Sequence, residues 1–572
     1  MKKPFKVAAI QFNPILNTYN DNIERLSQVI IEAAKNGAKL IVTPEMSTTG
    51  YQYEDRDAIK DLVDTIPGKT TDIFEKITEK YNCYIVAGMA EVDSETGLYY
   101  NSSVLVGPEG YIGKYRKIHQ WETEEHWATW GDVGVPVFET ELGNIAMNIC
   151  MDSTYFESAR LAAVNGADIL AFSTNSSAQA VAVLQSRAVQ NGLYIISANR
   201  SNTEIDFHMV GASAIWSPEG KKLAEAPFVP EGEDINESTI IYAEIDPVNY
   251  NNVNKKRLHE RRPEIYKDLM LYISPWDYKK SKESKHVTAS VLQYKPVIGD
   301  KDANMRKVKT LIKKAIKTQK NHIDLFVLPE LSITGPITNK EDAYNLAEEL
   351  DGQTVNFFKD LATKNNTHIV FGMIEKENKK FYNSAVLIAP NGEIKGVYKK
   401  THLNEYDRKW AYPGNKINVF STDIGKIGIM LGYDVAFPEV AGVMAVKRAD
   451  IIVVPTTYNE DIDCRIEFNE ELSINQYPKD SSVLLSSIAL STQAYTIVSN
   501  FIKEETDFSG RSGLYTIDPF YGLDKSIISS KEQEIPIVFE FDTIQSDWWF
   551  NQGKLISSRR TYFYKPLILE NK

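Results

Sequence analysis

The pattern of apolar and polar positions runs through this chain twice. VAAIQFNP at 7–14 is a short apolar run reaching Gln11, and ASVLQYKP at 289–296 answers it with Gln293. After each comes a stretch with apolar residues at helical spacing: Ile23, Leu26 and Ile30 in the first copy, Met305, Val308, Leu311, Ile312 and Ile316 in the second. Steps of three, four and seven put such side chains on one face of a helix. Each helix hands over to a continuous apolar run ending in proline and glutamate, LIVTPEMSTTG and LFVLPELSITG. Runs of this length, bounded by turn residues, read as strands buried on both faces. Further on, GKYRKIH matches GVYKKTH, GNIAMNIC matches GKIGIMLG, and GADILAFST matches RADIIVVPT. RRPEIY at 261–266 and RRTYFY at 559–564 close the two copies.

So long a period means a duplicated domain rather than a solenoid. The expected organisation is an α/β domain over 1–276, a polar lysine-rich linker DYKKSKESKH at 277–286, and a second α/β domain over 287–572. The short turns GPEG at 107–110 and SPEG at 217–220 predict hairpins, and therefore mixed rather than purely parallel sheets.

Composition changes this picture little. The 572 residues are 43% hydrophobic and 25% charged, ordinary for a globular protein of two or more domains. The net charge of −13 argues against nucleic acid or an anionic membrane as the main partner, since both reward dense basic patches. The apolar run behind the N-terminal lysines lasts only from Val7 to Ile10, too short for a secretory signal, and no stretch is long enough to span a membrane. A cytoplasmic protein is expected.

Three cysteines without a CxxC pair exclude a disulfide framework and a cysteine-rich zinc site. Cys83, in YNCYIVAGM, reads as a buried strand residue, and Cys464, in EDIDCRIEF, has acids around it that disfavour a thiolate. Cys150 differs. It follows the apolar run IAMNI and precedes the helical pattern SARLAAVNGADIL, so a strand-to-helix turn would place its thiol near amides that favour a thiolate and bind an oxyanion. Glu45, ending a buried run, and Lys117, in KYRKIHQW, complete a constellation. A carboxylate can take the thiol proton, an ammonium can stabilise an oxyanion, and the sulfur can carry an acyl group.

The order Glu45 in PEMSTTGY, Lys117 in YRKIH and Cys150 in NICMDSTYFE resembles the Glu-Lys-Cys triad of the nitrilase superfamily, the carbon-nitrogen hydrolases. Asn199 and Arg200 in ISANRSN, the segment GASAIWSPEG and the closing RRPEIY fit as well. The resemblance implies an αββα sandwich that hydrolyses a nonpeptide C–N bond of a small amide or N-carbamoyl amine through a thioester, without metal or organic cofactor. It also implies a second glutamate after the lysine. Matching Trp121 and Trp127 to the aliphatic amidases selects Glu125, the preferred reading, whereas counting back from Gly131 selects Glu124. Met151 and Asp152 follow the cysteine where nitrile hydrolysers carry Trp-Glu, which favours an amide or carbamoyl substrate. Gln190 stands where many relatives have glutamate, which blurs the branch.

In the second copy Glu330 and Lys400 occupy the places of Glu45 and Lys117, Gly432 that of Cys150, and Asp407 or Arg408 that of the second glutamate. Glycine has no nucleophile, so the second copy is expected to be a catalytically silent domain. The family's dimers suggest an internal pseudo-dimer of the two copies, with or without further homo-oligomerisation. Nitrile hydrolysis, a glutaminase-type amidotransferase, and an amide-binding or sensing role for the second copy stay open as alternatives.

Overall fold

The computed structural model describes residues 3–570 apart from 274–282, 458–461, 468, 474–476, 479–480, 503–509, 518–524, 531 and 544–549. Residues 277–282 of the expected linker therefore lie outside the described residues, and His286 already opens a strand. The chain forms two compact units, each built mostly from one copy and completed by short segments of the other. Unit 1 comprises Met1–His259, Glu467–Ser473 and Arg559–Lys572, and unit 2 comprises Glu260–Ile466 and Ile474–Ser558. RRPEIY of the first copy thus belongs to unit 2, and RRTYFY of the second to unit 1. Each segment brings an arginine to a buried glutamate of the unit it joins, Arg261 Nε to Glu439 Oε1 at 2.7 Å and Arg559 Nε to Glu157 Oε1 at 3.1 Å. Buried glutamates of this kind need a partner, and the arginine supplies it.

Unit 1 is an αββα sandwich. Its first sheet runs, in spatial order, Thr239–Ile245, Phe5–Gln11, Ala38–Val42, Tyr84–Val92, Tyr99–Gly107 and Gly110–Arg116. The three strands beginning at Phe5, Ala38 and Tyr84 are parallel and the others antiparallel, the mixed sheet that the short turns predicted. The helices Tyr19–Lys35 and Lys69–Tyr81 cover it, burying Ile23, Leu26, Ile30, Phe74 and Ile77 against Ile10, Ile41, Ile85 and Val104. Each large aliphatic or aromatic side chain so buried contributes on the order of 1.5–3 kcal/mol. The second sheet has the order Lys222–Glu225, Ala214–Trp216, Tyr194–Ala198, Ile169–Ser173, Asn144–Ile149 and Val137–Glu139, with the helices Phe156–Val164 and Ala178–Asn191 against it. The two sheets face each other, and Ser103 Oγ meets Ser173 Oγ across them at 3.3 Å. Cys83 packs in the core of the first layer, buried as expected, but it stands just before the strand Tyr84–Val92 rather than in it.

Unit 2 repeats the plan. One sheet runs Ile394–Lys399, Lys380–Ile388, His368–Glu377, Leu325–Val327, His286–Gln293 and Ile535–Asp542; the other begins Val419–Thr422, Gly425–Ile429, Ile451–Thr456 and Tyr495–Asn500. The helix Lys301–Thr318 buries Met305, Val308, Leu311 and Ile312 as its spacing predicts, but Ile316 is 42% exposed. In the last turn the buried stripe passes through Ala315 instead. Among the described residues no helix is long and apolar enough to cross a membrane.

Candidate active site

Glu45, Lys117 and Cys150 converge in unit 1, each from a loop that follows a strand. The strand Ala38–Val42 stops before Glu45, which lies in the turn beyond it rather than at the strand end and is fully buried. This turn lies against the strand Tyr84–Val92 at a glycine, Gly88, where a Cβ would come within 2.6 Å of the Glu45 Cα. Ser47 ties it down, its N–H and hydroxyl both donating to the Gly88 carbonyl at 2.9 Å. Lys117 follows the strand Gly110–Arg116, with its N–H donating to the Asn101 carbonyl at 2.9 Å.

The Lys117 ammonium donates to Glu45 Oε1 at 2.8 Å and also to Glu124 Oε1. Glu45 Oε1 accepts from Asn101 Nδ2 at 2.7 Å and Oε2 from the Asn175 N–H at 2.9 Å. Glu124 Oε1 accepts from the Tyr51 hydroxyl at 2.8 Å, while its Oε2 is buried with no partner among the described residues. The carboxylate that shares the Lys117 ammonium with Glu45 is therefore Glu124. Glu125, preferred from the tryptophan spacing, is exposed: the 3-10 turn Glu122–His126 presents its neighbouring side chains to opposite sides, and only Glu124 reaches the lysine. Trp127, used in that count, packs in a cluster with Met46, Tyr51 and Tyr53.

Cys150 begins a 3-10 turn, Cys150–Ser153, directly after the strand Asn144–Ile149, and the longer helix starts only at Phe156. Its φ of +43° lies in the left-handed region, a sparsely populated conformation for a residue with a side chain. Asp152 holds the turn, accepting from the Ile149 N–H at 2.9 Å and the Tyr115 hydroxyl at 2.7 Å. The sulfur lies 3.6 Å from both the Asn175 carbonyl oxygen and Ser176 Oγ. Asn199 clamps that loop, its Oδ1 accepting from the Ser176 N–H at 2.8 Å.

Electrostatics corrects one expectation. The amides of the turn do not make a resting thiolate; burial, and then the negative charge of Glu45, push the Cys150 thiol up to about 12, with Lys117 opposing. Burial, assisted by Glu45, likewise raises Glu124 to about 7 against the pull of Lys117. Two carboxylates share one ammonium, so a thiolate would add a further uncompensated negative charge. Burial among two carboxylates and one ammonium thus favours the thiol over the thiolate.

A family model described as carbon-nitrogen hydrolase matches residues 6–255 and again 288–519. The chain belongs to the carbon-nitrogen hydrolase family. Among curated proteins it is similar to a nitrilase of Pyrococcus abyssi, 36% identical over 258 residues that cover 45% of this chain and 98% of that protein. It is also similar to a citrullinase of Francisella tularensis, 30% identical over 291 residues that cover 46% of this chain and 98% of that one. The crystal structure of a carbon-nitrogen hydrolase from Helicobacter pylori G27 is 25% identical, covering 47% of this chain and 98% of its own, with a TM-score of 0.42. Each of the two curated relatives is about the size of one of the two family matches. The chain is a carbon-nitrogen hydrolase in which the family domain occurs twice in tandem.

The second hydrolase domain keeps most of this site. In unit 2 the Lys400 ammonium donates to Glu330 Oε1 at 2.7 Å and to Asp407 Oδ2 at 2.6 Å. Asp407, not Arg408, stands in the second carboxylate's place, since Arg408 turns outward to Glu260. Gly432 has φ +40°, matching Cys150, and a Cβ there would lie 2.5 Å from Glu330 Oε2. The Thr457 N–H and hydroxyl hold that oxygen at 3.1 and 3.0 Å. Cys464 sits elsewhere in unit 2, where its carbonyl accepts from the Val483 N–H at 3.1 Å.

Sequence reasoning used Asp152 only as a substrate clue and missed it as the anchor of the Cys150 turn. Its repetition as Asp434, which accepts from the Leu431 N–H at 3.1 Å and the Tyr398 hydroxyl at 2.8 Å, was the available signal. A residue retained beside both a cysteine and a glycine serves the backbone.

Proposed function

We propose that unit 1 hydrolyses a nonpeptide C–N bond of a small amide or N-carbamoyl amine through a thioester on Cys150. The observation that carries this reading is the buried Glu45–Lys117–Glu124 array beside a thiol held at positive φ. Glu45 takes the thiol proton as sulfur attacks the carbonyl carbon. The oxyanion is stabilised by Lys117, which has two of its three ammonium hydrogens on carboxylates and the third without a protein acceptor among the described residues. The C–N bond then breaks as the leaving nitrogen takes the proton from Glu45. Water attacks the thioester, giving a proton to Glu45 that returns to sulfur as the acid departs. Glu124 Oε2, buried and unpartnered, is placed to accept a hydrogen bond from the substrate nitrogen.

The citrullinase relative supports the carbamoyl side of this range, citrulline being an N-carbamoyl amine. The nitrilase relative keeps nitrile hydrolysis as a second reading, against which Met151–Asp152 speaks. In unit 2 Gly432 supplies no nucleophile, and that domain is silent in this chemistry. The test is ammonia release by the full chain over a panel of amides, N-carbamoyl amines and nitriles, with intact and peptide mass measured after rapid quench. An acyl adduct on the peptide carrying Cys150 is expected. Turnover with the adduct elsewhere, or turnover by Cys150→Ser, overturns the reading.

A further inference from the structure

We propose that the segment Arg559–Tyr564 is a working part of the Cys150 site, and that Tyr564 is a positioning residue acting through His119 and Asp152. The inference rests on the reading of Cys150 as the nucleophile. Asp152, which fixes the Cys150 turn from one carboxylate oxygen, uses the other on His119, accepting its N–H at 3.2 Å and lying 2.8 Å from Nδ1. Burial lowers the His119 pKa and keeps the imidazole neutral. With its Nδ1 proton given to Asp152, the ring has one acceptor left, Nε2, and this faces the buried Tyr564 hydroxyl at 3.3 Å. The ring also stacks on Tyr155 at 3.8 Å, so it has a single orientation in which to link the two.

The same segment reaches the lysine. Arg560 Nε donates to the carbonyl of Ile118, next to Lys117, at 3.1 Å, with its guanidinium 3.6 Å from the Trp130 ring. Arg559 pairs with Glu157 on the helix that follows the Cys150 turn. One segment of the chain therefore holds the neighbours of both reacting groups. A residue at positive φ costs roughly 1–3 kcal/mol and persists only where its surroundings enforce it, so loosening this support lets the thiol drift from Glu45.

Unit 2 contains the same set in mirror roles, with Tyr266 OH 2.6 Å from His402 Nε2, His402 Nδ1 3.0 Å from Asp434, and Arg262 donating to the Thr401 carbonyl at 2.9 Å. There the turn starts at Gly432, which takes positive φ without strain, so this set is the internal control. The experiment uses full-length Tyr564→Phe, Tyr266→Phe and Cys150→Ser, measuring kcat, KM, melting temperature and the rate of iodoacetamide alkylation at Cys150 located by peptide mass. Tyr564→Phe is expected to lower kcat and slow alkylation about tenfold, with KM within about twofold and melting little changed, while Tyr266→Phe alters neither rate. Unchanged rates in Tyr564→Phe, or equal losses in both tyrosine variants, overturn the proposal. Turnover by Cys150→Ser removes the nucleophile reading instead, and the alkylation rates of the two tyrosine variants still decide whether the segment positions that thiol.

Discussion

Two sites in this molecule share a buried lysine between two carboxylates, an asparagine steadying the first of them, an aspartate-held turn and a positive φ at the turn's first residue. They differ at the turn's first residue, a thiol at 150 and a hydrogen at 432, and in the second carboxylate, Glu124 against a shorter Asp407 whose Oδ1 accepts from Asn383 Nδ2 at 3.1 Å. The difference teaches why the array alone is weak evidence of catalysis. Removing the ammonium from such a cluster leaves two carboxylates buried and uncompensated, at a cost of several kcal/mol, roughly 3–5 for a broken pair. Such a cluster is held by its own electrostatics, whether a thiol or a hydrogen stands beside it. The nucleophile is under no such constraint, and at Gly432 the Glu330 carboxylate lies only 2.5 Å from where a Cβ would stand.

The sharpest way to break this comparison is at the sulfur. Cys150→Ala should abolish turnover, by at least about 10⁴-fold, with an unchanged fold by circular dichroism. Activity surviving in the purified variant would mean that the thiol is not the working difference between the sites. Next come the matched carboxylates. Glu45→Gln should lower kcat by about 10² or more, and Glu330→Gln should leave it within about twofold. Equal losses in steady-state assays of the two variants would make unit 2 a participant in turnover.

Glu124 and Glu125 sharpen the comparison within one site. Glu124→Gln is expected to reduce kcat/KM by about 10- to 100-fold, and Glu125→Gln to change nothing. The same residue predicts a pH effect on stability. Its carboxyl is raised from 4.5 to about 7 by burial, so the fold prefers the protonated form. That contribution is complete below the unfolded value and lost as pH rises through the folded one. Between about pH 5 and pH 8 the melting temperature of the native chain should fall relative to that of Glu124→Gln. A constant gap would mean that Glu124 is ionised throughout.

Much of this was legible in the sequence, for identifiable reasons. Sheet-covering helices follow from apolar spacing, and the duplicated α/β plan from paired motifs such as TPEM and LPEL. The Glu-Lys-Cys convergence was legible because three ordered motifs restrict one another. The choice of Glu124 over Glu125 was not, because adjacent residues in a tight turn diverge and spacing cannot say which one points inward. The same count settles both copies in retrospect, since Asp407 stands seven residues after Lys400 as Glu124 does after Lys117. Nor could repeat matching reveal that the two closing segments join opposite units, because similarity between copies records ancestry and not which partner a buried arginine finds.

The smallest effect concerns backbone strain. If the turn is held at positive φ against the preference of any residue with a Cβ, then Cys150→Gly should be more stable than Cys150→Ala by about 1 kcal/mol, both being inactive. Denaturant midpoints with equal m-values would measure this directly. The reciprocal change should cost. Gly432→Cys places a Cβ at φ +40° and 2.5 Å from Glu330 Oε2, so the carboxylate must leave its Thr457 donors or the turn must shift. A loss of roughly 1–2 kcal/mol is expected from the conformation alone. In a Cys150→Ala background Gly432→Cys should restore no turnover, because a thiol that displaces its own base cannot be deprotonated by it. Recovered ammonia release in that double variant would show that unit 2 lacks nothing but the sulfur.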